Sequence, residues 1–159
     1  MKLLIGNRNY STWSLRPWLV LQHFGIPFED EVLQLSGDDW RETLAERSPT
    51  GKVPVLIDGD LVVPETIAII EYLADLFPDR AIWPAERGQR ALARAAAAEM
   101  HSAFTGLRSH APMNLRASHP GKVNADSVAR DLHRLEVLWG GLLKQSGGPF
   151  LFGEFTAAD

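Results

Sequence analysis

Three short segments carry side chains that could together hold a small peptide beside a hydroxyl group. They are YSTWS at residues 10–14, GKVP at 51–54 and PETIAI at 64–69. The first segment predicts a hydroxyl group beside the start of a helix. The second predicts a loop that ends at a proline, and the third predicts a pair of polar residues at the start of another helix. A loop backbone can bind a peptide backbone, and helix N–H groups can bind a carboxylate. The set therefore predicts peptide binding with a hydroxyl facing a thiol.

The composition restricts where such a thiol could come from. The 159 residues include no cysteine, so a disulfide framework and a protein thiol nucleophile are excluded, and any thiol must arrive with a ligand. The net charge of −4 does not favour nucleic acid, which needs clustered positive charge. Because no apolar run could span a membrane and residues 1–6 are too short for a signal-peptide core, we expect no membrane association and a cytoplasmic location.

The first half of the chain is predicted to alternate strands and helices. The apolar run 2–6 predicts a strand, Ser14 is expected to cap a helix with Pro17 in its first turn, and Gly25 to end that helix. The order is then β-α-β-α-β-β-α, which is the order of a thioredoxin-like domain. The remaining predicted elements are a strand at 28–33, a helix at 38–46 with Trp40 and Leu44 on one side, hairpin strands at 55–57 and 61–63 around Asp58 and Gly59, and a helix at 65–76 with Ile69, Ile70, Leu73 and Leu76 inward.

The second half is predicted to be helical. Residues 79–88 form a proline-containing linker between a domain at 1–78 and the start of an all-α domain at 89–159. Two long helices are expected at 89–110 and 124–144, the second with apolar residues at helical spacing at Val128, Leu132, Leu135, Leu138 and Trp139. Thr156, followed three residues later by Asp159, is a helix-start signal.

These segments resemble the glutathione-binding half of the glutathione transferases. The Ser-x-x-Ser-x-Arg run at 11–16 is most similar to the serine-type classes, zeta and its bacterial relatives. The resemblance extends over essentially the whole chain but reaches only the first part of the family's helical domain, in which Thr-x-x-Asp begins a central helix. It implies a thioredoxin-like βαβαββα domain followed by a partial helical domain, with glutathione as co-substrate and a homodimer.

The resemblance also implies which side chain meets the glutathione sulfur. Ser11 is the expected donor, and a hydroxyl beside a helix start stabilises a thiolate. Tyr10 is the rival, because the largest branch of the family uses a tyrosine in this region. Trp13, also expected at the glutathione site, stands where the zeta pattern has cysteine. Arg16 is left open between a functional role and an ion pair.

Two further sites follow from the resemblance. Pro54 is expected to be cis, with the Val53 N–H and C=O pairing with the cysteinyl part of glutathione, while Lys52 meets the glycyl carboxylate. Thr66 is expected to start a helix whose N–H groups hold the γ-glutamyl carboxylate, while Glu65 accepts from the ammonium. An ordinary turn and an ordinary helix cap would also explain both segments.

The acceptor substrate is specified less well. In the family it lies between the domains against the first long helix, and Met100, His101, Phe104 and Arg108 fall on one helical face by spacing. A core or solvated face explains that spacing equally well. The five histidines have no metal-ligand spacing, so no metal is expected. The predicted function is a glutathione transferase acting on an apolar electrophile; the alternatives are a maleylacetoacetate-type isomerase, a peroxidase and a non-catalytic binding module.

Overall fold

The first part of the chain folds around a mixed β-sheet flanked by helices. The computed structural model describes residues 1–36 and 40–159. Its strands lie in the order β2-β1-β3-β4, with β1 parallel to β2 and antiparallel to β3, and β3 antiparallel to β4. The predicted βαβαββα order is thereby confirmed. The elements up to Arg80 are β1 (Lys2–Ile5), α1 (Thr12–His23), β2 (Glu29–Val32), α2 (Trp40–Arg47), β3 (Val55–Asp58), β4 (Leu61–Pro64) and α3 (Thr66–Leu76).

Strand β1 forms the centre of this core. Leu3, Leu4 and Ile5 are all fully buried. Because successive side chains of a strand point to opposite faces, both faces of β1 must be covered. Helices α1 and α3 pack against each other, and each contacts the sheet. The loop after β1 therefore starts from a fixed point, which is where Ser11 lies.

Helix α1 begins earlier than the sequence indicates. It starts at Thr12, so the N-cap is Ser11 rather than the predicted Ser14, and Pro17 lies in the second turn rather than the first. Ser11 has the extended backbone typical of an N-cap, with φ −91° and ψ 92°, whereas Ser14 is buried inside the helix. Both serines could cap a helix, and the burial of Ser14 decides between them.

One other prediction for this part is wrong, and another lies partly outside the described residues. Leu76 was expected to point inward, but it is 44% exposed at the last turn of α3. The start of the predicted helix at Asp38 and Asp39 lies outside the described residues. Helix α2 is described from Trp40, and its Leu44 is buried as expected.

The second part of the chain is helical, with α4 (Arg87–Ser102), α5 (Thr105–His110) and α6 (Ala125–Ser146). The chain divides into two compact units, Met1–Arg80 and Ala81–Asp159. Helix α4 begins inside the predicted linker because Glu86 caps it, accepting from the N–H groups of Gly88 and Gln89 at 2.8 and 2.7 Å. The predicted domain limits at 78 and 88 remain a prediction.

The single helix predicted at 89–110 is wrong. Helix α4 ends at Ser102, and Phe104 adopts a left-handed backbone with φ 61° before α5 begins. Phe104 is 4% exposed, so its burial accompanies the break. Apolar spacing alone could not reveal this, because the pattern continues through the interruption.

Helix α6 lies close to the predicted position, and only part of its apolar spacing is buried. Val128 is buried, while Leu132 and Trp139 are 45% and 41% exposed. The helix-start signal near the end of the sequence is formed: the Asp159 carboxylate accepts from the Thr156 N–H at 2.9 Å, and Thr156 Oγ1 accepts from the Ala158 N–H at 3.2 Å. None of the described helices combines the length and apolar character needed to cross a membrane.

Candidate glutathione site

Ser11 joins the loop after β1 to helix α1. Its Oγ accepts from the Ser14 N–H at 3.4 Å and donates to Ser14 Oγ at 3.0 Å. The side chain is partly exposed and lies at the positive end of the helix dipole. A ligand anion at this point would meet a hydroxyl whose present acceptor is only a neutral oxygen.

Ser14 was predicted only as a helix cap, but its buried hydroxyl bonds to two residues of the loop that leads into α1. It is fully buried, and its Oγ accepts from the Gly6 N–H at 3.0 Å as well as from Ser11. One hydroxyl therefore links the end of β1 to the first turn of α1. The Ser-x-x-Ser spacing was the available signal, since residues three apart share a helix face.

Gly6 marks a narrow space between the predicted site segments. A Cβ added there would lie 3.4 Å from Ser11 Cβ, 3.4 Å from Val53 Cγ2 and 3.2 Å from Leu35 Cδ1. Ser11 and the Val53 side chain therefore both lie close to Gly6, although they are far apart in the sequence. Leu35, which the sequence reasoning did not single out, adds an apolar wall and comes from the segment after β2.

The other residues of the first segment have different surroundings. The Tyr10 side chain is 61% exposed. The Arg16 guanidinium lies 4.6 Å from the centre of the Trp13 ring, which is a cation–π distance. This stacking is one contact of Arg16, whose role the sequence left open.

The proline loop has the predicted backbone. The Val53–Pro54 peptide bond is cis. Within the described residues, neither the N–H nor the C=O of Val53 makes a hydrogen bond, so both can pair with a peptide. The Lys52 side chain is exposed.

Ser48 secures this loop and was missed from the sequence. It is 3% exposed, and its Oγ donates to the Lys52 C=O at 2.7 Å and accepts from the Lys52 N–H at 3.1 Å. Both backbone polar groups of the residue before Val53 are therefore fixed by one side chain. No local pattern predicts this, because the bond depends on how the loop closes.

The third segment opens α3 as expected, but its polar groups already have partners. Glu65 has the unusual backbone φ 78°, ψ 131°, and its Oε1 accepts from the Thr66 N–H at 3.1 Å. Strain of this kind is concentrated at functional sites. Thr66 is fully buried, and its Oγ1 donates to the Trp13 C=O at 2.9 Å. A ligand carboxylate would therefore meet the N–H groups of the helix start rather than the Thr66 hydroxyl.

The four predicted acceptor residues do not share one helical face, because the chain breaks at Phe104. Arg108 donates from Nε to the Ala103 C=O at 3.1 Å and also to the Met100 C=O. Burial lowers the pKa of Arg108, and the nearby Asp131 carboxylate opposes that shift. Arg108 therefore closes the end of α4, a structural task that the spacing did not indicate.

A cavity of about 540 Å³ lies in the helical unit, and of the four predicted residues only Phe104 lines it. Met100 and His101 are partly exposed elsewhere on α4. Among the residues that the structure describes, no group of three or more His, Asp or Glu side chains is placed to hold a metal ion. The acceptor assignments for Met100, His101, Phe104 and Arg108 remain predictions.

Comparison with known proteins identifies the family. Residues 10–76 match the family model "Glutathione S-transferase, N-terminal domain". A probable maleylacetoacetate isomerase of Caenorhabditis elegans is 30% identical over 157 residues, covering 96% of this chain and 71% of that protein. The chain belongs to the glutathione S-transferase family.

Other relatives agree with this assignment. Glutathione S-transferase Z2 of Arabidopsis thaliana is 34% identical over 122 residues, or 74% of this chain and 53% of that protein. A glutathione transferase homologue from Burkholderia, solved with bound glutathione, superposes with a TM-score of 0.72 at 25% identity over 99% of this chain and 73% of that one. The chain thus spans about half the length of the plant relative.

Proposed function

We propose that the chain binds glutathione and activates its thiol for attack on a small electrophile, as a glutathione transferase does. The observation that carries this proposal is that Ser11 and Val53 both lie close to Gly6, which brings the first and second segments together. This arrangement offers a hydroxyl for the sulfur beside unpaired backbone groups for the cysteinyl residue. The Burkholderia relative solved with bound glutathione supports the same ligand.

Ser11 supplies the group that stabilises the thiolate. A free thiol has a pKa of about 8.5, so little of it is ionised at neutral pH. The Ser11 hydroxyl now donates to Ser14 Oγ, which is neutral. Hydrogen bonds to a charged acceptor are stronger than those to a neutral one, so the hydroxyl would donate to a bound thiolate instead. The thiol loses its proton to solvent, the thiolate forms a carbon–sulfur bond to the electrophilic substrate, and the leaving group departs with its electron pair.

The remaining groups hold the peptide. Val53 pairs with the cysteinyl backbone, and Lys52 meets the glycyl carboxylate. The first turn of α3 presents the N–H groups of Ile67 and Ala68, which have no carbonyl partner within the helix, to the γ-glutamyl carboxylate. Glu65 accepts from the ammonium. A homodimer and a cytoplasmic location remain predictions.

Isomerisation is the second candidate. The Caenorhabditis elegans relative and one of Vibrio cholerae, 33% identical over 108 residues, are both described as probable maleylacetoacetate isomerases. The presence of Trp13 at the position where the zeta pattern has cysteine favours transfer over isomerisation. A peroxidase and a non-catalytic binding module are retained as outcomes of the test.

The test is glutathione binding by calorimetry, with turnover measured on a chlorinated aromatic, a maleyl-type acid and a peroxide. We expect Ser11→Ala to lower turnover on the aromatic about 10²-fold, the range for loss of one stabilising donor, while glutathione affinity changes by less than about threefold. Ser11→Asp keeps an N-cap acceptor but places a negative charge beside the sulfur, so it should also be inactive.

Two controls separate chemistry from folding. Ser118→Ala removes an exposed loop hydroxyl and should leave turnover unchanged, and Ser11→Thr keeps both the cap and the donor and should retain most of it. Turnover only on the maleyl-type acid would favour the isomerase, and turnover only on the peroxide would favour the peroxidase. A folded wild-type chain that binds no glutathione would refute the proposal and favour a binding module.

A further inference from the structure

Pro17 removes a hydrogen bond from the first turn of α1, which Ser11 caps. In an α-helix the carbonyl of one residue accepts from the N–H four residues later, and a proline has no N–H. The Trp13 carbonyl therefore cannot receive an N–H from position 17. Pro17 is fully buried, so water is not expected to replace the missing donor.

The donor comes instead from a residue 53 positions later. Thr66 Oγ1 donates to the Trp13 C=O at 2.9 Å. Thr66 is fully buried and is the first residue of α3, next to the strained Glu65. One hydroxyl thus joins the first turn of α1, which Ser11 caps, to the first turn of α3, where the ligand carboxylate is proposed to bind.

We propose that Thr66 is a positioning residue for Ser11. Its hydroxyl holds the start of α1 at a fixed distance from the start of α3, so that a glutathione held by its γ-glutamyl end has its sulfur at Ser11. This inference rests on the proposed function and deepens it. The Thr66 hydroxyl acts on the sulfur through α1 and does not itself contact the ligand.

The mechanism makes Thr66 and Pro17 interdependent. Thr66→Val removes the hydroxyl at nearly constant volume and leaves the Trp13 carbonyl without that donor. Pro17→Ala restores an N–H that competes for the same carbonyl along the helix, so this change should itself weaken the link from Thr66 to α1, and Thr66→Val should then add little to the loss. Residues that share a partner give non-additive effects in a double-mutant cycle. A residue that only caps α3 would give additive effects.

The experiment measures kcat, the KM for glutathione and the pKa of the bound thiol, from its thiolate absorbance, for the full chain. We expect Thr66→Val to lower kcat roughly tenfold and raise the bound thiol pKa, since misplacement of a catalytic group costs up to about 10²-fold. In the Pro17→Ala background the same change should lower kcat by less than about threefold. Thr66→Ser keeps the hydroxyl and should behave as wild type, as should Thr43→Val at an exposed position of α2.

Several outcomes would overturn the inference. They are an equal loss of kcat in both backgrounds, an effect of Thr66→Val confined to KM, and an unchanged bound thiol pKa. If Pro17→Ala does not fold, the comparison of Thr66→Ser with Thr66→Val decides, because equal kcat and thiol pKa in the two would refute a role for the hydroxyl. If the wild type binds glutathione and Thr66→Val changes neither kcat nor the bound thiol pKa, this inference alone is rejected. If the wild type binds no glutathione, the proposed function is rejected as well.

Discussion

The polar groups around Ser11 and those around Arg108 are fixed in different ways. In the first region, the buried hydroxyls of Ser14 and Thr66 bond to backbone groups 8 and 53 residues away. In the second, the Arg108 guanidinium bonds to two carbonyls 5 and 8 residues away, and both lie at the end of the preceding helix. The first arrangement fixes one element against another, and the second closes a local turn.

This difference indicates where a site can be positioned accurately. A buried hydroxyl has a single short rotor and little side-chain entropy to lose, so it fixes a distance firmly. A long arginine can follow small movements of the turn that it closes. We therefore expect changes in the first region to disturb both stability and chemistry, and changes in the second to disturb stability alone.

The largest effect on stability should come from Ser14→Ala. This change leaves the buried Gly6 N–H without its acceptor and removes the acceptor of the Ser11 hydroxyl. An unsatisfied buried donor costs about 1–3 kcal/mol, so we expect the free energy of unfolding to fall by that amount in urea denaturation. Ser118→Ala, the exposed control, should change it by less than about 0.5 kcal/mol. Equal stability of Ser14→Ala and the control would show that the buried bond contributes nothing.

A smaller effect is expected from Arg108→Met, which keeps an apolar side chain but removes both donors to the end of α4. Hydrogen bonds to charged groups are worth about 1.5–3 kcal/mol when buried, and partial exposure reduces this to about 1 kcal/mol. Unfolding in urea should show this loss, while glutathione affinity by calorimetry stays unchanged. Arg116→Met, at an exposed loop position, is the matched control. Unchanged stability with a raised KM for the acceptor substrate would instead support the predicted acceptor role of Arg108.

Local features of the first unit could be predicted because each has a local cause. The Asp58-Gly59 hairpin between β3 and β4 follows from the positive φ that its turn requires, and Gly59 has φ 58°. The cis bond before Pro54 was predicted from the loop sequence through the family resemblance. Ser11 was placed between a strand and a helix by the apolar pattern on either side of it.

Features that depend on distant contacts could not be predicted. The bond between Thr66 and Trp13 joins residues that no local pattern relates, and the closure of the loop by Ser48 depends on its final shape. The break at Phe104 was missed because helical spacing continues across it, whereas the left-handed backbone, the buried ring and the Arg108 bonds to the end of α4 are features of the folded chain alone. Spacing predicts which side chains share a face only where the helix is known to continue.

The smallest effect should come from the edge of the sheet, where Glu31 of β2 pairs with Arg47 and Lys2. The hydrogen bond from Arg47 lowers the pKa of Glu31 from 4.5 to about 2, so its contribution to stability is complete above about pH 4.5 and is lost as the pH falls towards 2. Because this pair is largely exposed, that contribution should be only a few tenths of a kcal/mol.

The measurement is the difference in melting temperature between wild type and Glu31→Gln at pH 7 and at pH 3, with Glu42→Gln on the exposed face of α2 as control. The difference should shrink at pH 3, and one that grows there would reverse the assigned sign. Even a complete loss should leave glutathione affinity unchanged at pH 7, since this ion pair lies outside the proposed binding groups.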